Sequence, residues 1–165
     1  MHPHCTSDCG LDTTQLTVAE SLDSIERELP AIRSLFTGRP DALLRAKSSG
    51  DVWSPLEYLV HLRDAVRYHG WQANLALTQE RPQIPAPDPD AAAVNEAYND
   101  ADPAEALMAL EQQTARFVSR TRTLADEQLD RAVVRAGTPI DVRFMVRNVA
   151  HEVHHHKGDI ERLLA

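Results

Sequence analysis

Between residues 151 and 160 the chain reads HEVHHHKGDI, which sets His151, His154, His155 and His156 within six positions, with Glu152 and Asp159 among them. Imidazole and carboxylate are the side chains that hold divalent cations at neutral pH. On a helix, residues four apart stand one above the other, so two pairs have the spacing that lets both side chains reach one ion: His151 with His155, and Glu152 with His156. The first pair offers two imidazoles. The second offers an imidazole and a carboxylate, which near a protein interior needs a cation or strong hydrogen bonds to be tolerated. A third ligand must come from another element, and His61 and His69 are the candidates.

Four helical segments are available to position these residues. The first covers about Thr14 to Phe36, with Leu22, Ile25, Leu29 and Ile32 at three- and four-residue spacing, and with Pro30 expected to kink or restart it. The second opens at Ser54-Pro55-Leu56-Glu57, where Ser54 caps, Pro55 takes the first helical position and Glu57 closes a capping box; it should run to about Leu77. The third opens on the same logic at Asp102-Pro103-Ala104-Glu105 and continues to about Leu124. The last opens at Thr138-Pro139-Ile140-Asp141 and runs nearly to Ala165. Residues 81–90, RPQIPAPDPD, carry four of the ten prolines and read as an ordered or semi-rigid connection. Ala132-Val133-Val134 is the one strand candidate. The expected fold is all-α, a four-helix bundle with a long Pro-rich connection between helices 2 and 3, comprising residues 14–165 after a flexible tail of residues 1–13.

Direction around the last helix separates the histidines. At about 100° per residue, Met145, Val146, Val149, Ala150, Val153 and Ile160 form one apolar stripe. His156 is displaced from its centre by roughly 45°, Glu152 by roughly 85°, His154 by roughly 115°, His155 by roughly 145° and His151 by roughly 175°. The pair bordering the core is therefore Glu152 with His156, and His151, His154 and His155 are expected on the outer face. In the second helix, His61 shares a row with Tyr58, Ala65 and Tyr68, and His69 a row with Leu62, Val66 and Ala73. Spacing alone does not rank these two. Asp64, one turn after His61, could orient an imidazole, although surface solvation is the plainer reading. Asp159 could support the His156 ring or pair with Arg162. Trp53 and Ser54 read as structural.

Composition narrows the partners. Seventeen Lys and Arg stand against 25 Asp and Glu, a net charge of −8, and no basic run interrupts the acidity. Nucleic acid and anionic membrane both require clustered positive charge and are not expected partners. Apolar runs are too short for a membrane span, and MHPHCTSDCG lacks the features of a signal peptide, so a cytoplasmic location is expected. The two cysteines, Cys5 and Cys9, lie near His2 and His4. The pattern H-x-H-C-x3-C could hold zinc but lacks a second ligand pair at finger spacing, and a frayed terminal tail is the plainer reading.

Two stretches resemble a known family. W-S-P-L-E-Y-L-V-H-L-R-D, from Trp53 to Asp64, is similar to the first motif of the DinB/YfiT-like superfamily, and A-H-E-V-H-H-H-K-G-D-I, from Ala150 to Ile160, to the second. The resemblance implies a four-helix bundle in which three side chains, usually histidines, hold a divalent metal. It assigns one ligand to His61 and not His69, and the others to His156 and the residue four before it, Glu152. Most family members have His where Glu152 stands, although mycothiol-dependent maleylpyruvate isomerases look to use Glu. A one-residue shift to His151 and His155 would restore three histidines and remains the alternative register. The N-terminal H-C-x3-C-G resembles a Cys-x-x-Cys-Gly start of some relatives, with one residue more between the cysteines.

Two imidazoles and one carboxylate leave coordination positions open, as a catalytic site requires. Zinc is the ordinary occupant of such a set, and nickel, iron or manganese also fit it. The resemblance implies a metal-dependent enzyme acting on a small molecule, a thiol-dependent S-transferase or a hydrolase, with a low-molecular-weight thiol as candidate co-substrate; a homodimer is a candidate assembly. The alternatives are a non-catalytic metal- or ligand-binding stress-response protein and a structural dimeric bundle without metal. No catalytic residue beyond the ligands is assigned by the pattern, and no phosphate-binding loop or dinucleotide fingerprint is present.

Overall fold

The computed structural model describes residues 9–50 and 52–165. Of the expected tail, residues 1–8, including His2, His4 and Cys5, lie outside the described residues. Among the described residues seven α-helices follow in order: α1 (Val18–Phe36), α2 (Asp41–Leu44), α3 (Pro55–Thr78), α4 (Pro89–Asn95), α5 (Pro103–Thr121), α6 (Asp126–Leu129) and α7 (Val142–Leu164). Three short strands, β1 (Gln83–Ile84), β2 (Ala132–Arg135) and β3 (Thr138–Asp141), form one sheet in the order β1-β2-β3. The four long helices make the bundle. α3 packs on α5 and α7, and α1 on α7 and α5, so α7 has the site-bearing α3 on one side and α1 on the other.

The helix starts follow local chemistry. The Ser54 side chain accepts from the Glu57 amide while Glu57 accepts from the Ser54 amide, the reciprocal capping box, with Pro55 at the first helical position. Asp102 caps α5 one way, its side chain accepting from the Glu105 amide, with Pro103 at the first helical position. α1 starts at Val18, behind a capping box of Thr17 and Glu20, and a turn of 3-10 helix at Thr13–Gln15 precedes it. The core between the helices is built from aliphatic side chains such as Leu22, Ile25, Ile32, Leu59, Leu62, Leu110, Met145, Val149 and Ile160.

Two expectations are corrected. Pro30 does not restart α1, which is helical from Val18 through Phe36. Its ring lies on the exposed side, where it displaces no packed neighbour. The last helix does not open at Thr138-Pro139. Ala136 and Gly137 both have positive φ, at 48° and 85°, the backbone of a two-residue hairpin turn, and Thr138–Asp141 pairs antiparallel with β2. Pro139 sits on an edge strand, where its missing N–H breaks no ladder. The cap of α7 is Asp141, which accepts from the Phe144 amide at 2.6 Å. The Pro-rich connection is ordered, as expected, and contributes β1, parallel to β2, with the carbonyls of Pro82 and Ile84 accepting from the amides of Val134 and Ala136. Among the described residues no helix is long and apolar enough to cross a membrane.

Candidate metal centre

The seventh residue after the Ser54 cap, His61, lies in the second turn of α3 with its ring turned into the bundle, 7% exposed. Trp53, just before the helix, packs on that ring at 5.1 Å between centroids, so the aromatic expected to be purely structural also forms a wall of the site. From α7, Glu152 and His156 meet His61 across the α3–α7 contact. Glu152 Oε2 lies 3.1 Å from His61 Nε2 and 3.2 Å from His156 Nε2. The rings of His61 and His156 stand perpendicular, 4.9 Å apart, and Tyr58 covers the other side of His156 at 5.1 Å.

This donor set fits a metal. Atoms bound to one tetrahedral zinc at about 2.0–2.1 Å lie about 3.3 Å from one another. The separations of Glu152 Oε2 from the two nitrogens are close to that. His156, 1% exposed, has its Nδ1 2.8 Å from Asp159 Oδ2, while among the described residues Nε2 has no aligned hydrogen-bond partner and faces Glu152. With Nδ1–H donated to Asp159, Nε2 presents a lone pair to the site, the tautomer a metal needs. Asp159 is held in turn by Arg162, so it serves both roles considered for it.

The electrostatics are those of a closed cluster. Burial opposes ionisation of Glu152, but the adjacent imidazoles of His156 and His61 outweigh it and hold the carboxyl well below the usual carboxylate range. Burial also opposes charge on His156, and the carboxylates of Asp159 and Glu152 overcome it, raising its pKa.

His69 lies apart from the three-residue cluster, two turns along α3, with Nε2 accepting from Asn148 Nδ2 at 3.0 Å. Burial pushes its pKa down to about 4 and keeps it neutral. Asn148 also approaches Glu152 Oε1 at 3.5 Å, so one amide links the two. Nothing in residue type marked Asn148, but its position four before Glu152 sets it on the same row. Asp64 does not reach a histidine; it pairs with Arg63 and Arg67 and accepts from the Tyr98 hydroxyl at 2.8 Å.

The outer histidines are not all outer. His155 is only 3% exposed, against the expectation of an exterior position. The segment ahead of α1 covers this face: the Cys9 carbonyl lies 3.3 Å from His154 Nε2, and the Leu16 carbonyl accepts from Arg147. Burial lowers the pKa of His155. His151 and His155 stack at 5.4 Å, and their neighbour is Cys9, whose sulfur is 3.9 Å from His151 Nδ1. The alternative register thus brings two histidines together, but beside Cys9, in a cluster separate from that of His61. His154 lies 3.0 Å from Glu28 on α1.

Comparison with known proteins gives a consistent picture. Residues 24–160 match the sequence pattern of the DinB superfamily. Among solved structures, YfiT from Bacillus subtilis, described as a probable metal-dependent hydrolase with an unusual four-helix bundle topology, superposes with a TM-score of 0.81 at 22% identity, over 93% of this chain and 87% of that one. A mycothiol-dependent maleylpyruvate isomerase superposes with a TM-score of 0.71 at 17% identity, over 91% of this chain and 63% of that one. No curated protein sequence matches.

Proposed function

This chain belongs to the DinB superfamily, and from that membership we infer that it is a metal-dependent enzyme acting on a small molecule, with His61, Glu152 and His156 as the ligands. The observation that carries the reading is His156. Its Nδ1 is fixed on Asp159 at 2.8 Å and its Nε2 is buried, without an aligned partner, toward Glu152 and His61. In its neutral form an imidazole so oriented offers its lone pair to a cation, and a buried carboxylate between two imidazoles balances the cation's charge.

A divalent ion held there, zinc being the ordinary occupant and nickel, iron or manganese the others that suit the set, supplies acidification of a water or a thiol near neutral pH. The chain's own residues do the rest. Asp159, anchored by Arg162, keeps the His156 ring in one tautomer and orientation. Asn148 restrains the second oxygen of Glu152. Trp53 and Tyr58 wall the site with apolar surface, excluding water from one side of each imidazole. A thiol-dependent S-transferase and a hydrolase both need such a site, since they differ in whether sulfur or water oxygen attacks the substrate. The similar fold of a mycothiol-dependent isomerase favours a low-molecular-weight thiol as co-substrate.

The test is elemental analysis of the purified full chain together with turnover of electrophile panels in the presence and absence of small thiols. Wild type retains a divalent metal and forms product that chelation abolishes. His61→Ala and Glu152→Ala each lose one metal equivalent and the product with it. Unchanged metal content in both variants, or product indifferent to chelation, contradicts the reading.

A further inference from the structure

We propose that Cys9, His151 and His155 form a second, thiolate-containing site for a borderline or soft cation such as Zn²⁺, on the face of α7 next to the His61–Glu152–His156 cluster. The sulfur of Cys9 and one ring nitrogen from each histidine lie within 4.8 Å of one another. Sulfur and nitrogen bound to one tetrahedral zinc, at about 2.3 and 2.05 Å, are about 3.6 Å apart. Cys9 Sγ and His151 Nδ1 are 3.9 Å apart, so this pair closes on an ion by a few tenths of an ångström, and the pairs with His155, within 4.8 Å, by at most about 1.5 Å.

His155 is the independent observation. It is 97% buried, since 3% of its surface is exposed, yet among the described residues neither ring nitrogen has a hydrogen-bond partner; the carboxylate of Asp159 is 3.4 Å from Nε2 and out of line. An imidazole buried without partners costs about 1–3 kcal/mol per unsatisfied group, and a packing role alone would be filled more cheaply by an apolar side chain. A bound cation resolves that cost. The stacked rings of His151 and His155, four residues apart on one helix, present their nitrogens side by side, and Cys9 reaches them from the segment ahead of α1. A surface cleft lined by Cys9, His155 and Gly158 gives an ion access.

The ligand chemistry differs from that of the first site. One thiolate and two imidazoles select zinc or monovalent copper over the harder cations that a carboxylate admits, and a coordinated thiol is deprotonated outright. Because the two i, i+4 pairs are offset by one residue, a single helical turn serves both clusters: His151 and His155 to one side, Glu152 and His156 to the other.

Titration of the reduced full chain with Co²⁺, followed by absorption, tests the proposal without any assay of activity. Only a cysteine gives the thiolate-to-cobalt charge-transfer band in the near ultraviolet, and the His61–Glu152–His156 set contains none. The band is expected to saturate at one equivalent and to be displaced by Zn²⁺. It should vanish in Cys9→Ser, weaken strongly in His151→Gln, and persist in both Cys5→Ser and His61→Ala. Cys9 is only partly buried, so its replacement leaves the core intact, and helical circular dichroism verifies folding. Absence of the band in the folded wild type, or its survival in Cys9→Ser, overturns the proposal whatever the fate of the first site. Loss of metal in His61→Ala with the band retained separates the two.

Discussion

Asp159 Oδ2 stands 2.8 Å from Nδ1 of His156, three residues back on the same helix, and its other oxygen is claimed by Arg162. This carboxylate decides which nitrogen of His156 faces the bundle interior. Asp159→Asn keeps the shape but replaces a fixed acceptor with an amide that presents either face. Replacing a carboxylate that orients a ligand histidine weakens metal affinity by about 10–100-fold. Competition against a chromophoric chelator should show such a loss with little change in melting temperature, and unchanged affinity would remove Asp159 from the role.

His69 makes acid stability legible. Its pKa is pushed down by burial to about 4 from 6.5, so below pH 6.5 the unfolded chain binds a proton that the native chain refuses until near pH 4. The contribution is fully present above 6.5 and is lost as pH falls toward 4, amounting to about 3 kcal/mol across that window. Denaturant unfolding of chelator-treated protein at intervals from pH 7 to pH 4 should give a steep decline in wild type. In His69→Gln the decline should be shallower by about that amount, and parallel profiles would refute the assignment.

Ser54 links a local cap to the site. Its hydroxyl accepts from the Glu57 amide and donates to Asn99 Oδ1, and the helix it starts carries His61. Ser54→Ala removes both bonds in a fully buried position. A lost cap costs about 1–2 kcal/mol, which for a chain of this size lowers the melting temperature by about 2–6 °C. Calorimetry checks this, and metal affinity of the folded variant should stay within a factor of about 3, since His61 itself is held by interior packing.

What the sequence makes legible, and what it hides, follows from the range of the interactions. The capping box at Ser54 and the cap at Asp102 are written within four residues and read directly. The facing of Glu152 and His156 is legible because the apolar stripe of α7 is set by its own residues. Thr138-Pro139-Ile140-Asp141 misleads because a cap followed by proline and a strand edge with proline share one local pattern. Only the Ala136-Gly137 turn, which pairs the segment back on β2, distinguishes them. His155 is hidden for a different reason. Helical direction accounts for neighbours within the bundle, whereas its cover comes from Cys9 and the residues after it, at the other end of the chain. Asn148 and its bond to His69 depend likewise on the α3–α7 contact.

Pro30 stands inside α1, where it has no N–H to offer the Glu26 carbonyl and leaves that acceptor without its intrahelical partner. An interior proline costs a helix about 3 kcal/mol, against about 1 kcal/mol that it returns by restricting the unfolded chain. α1 tolerates the deficit because Ile25, Ile32 and Phe36 bury on either side of it, against α5 and α7. Pro30→Ala keeps those contacts and restores the hydrogen bond, and alanine is the best helix former. It should therefore stabilise the protein by about 1–2 kcal/mol, raising the melting temperature by about 2–6 °C, with metal content unchanged. Urea unfolding gives the sign directly: a higher midpoint at the same slope is expected, whereas a lower midpoint would mean that the proline ring contributes packing on the exposed side of α1.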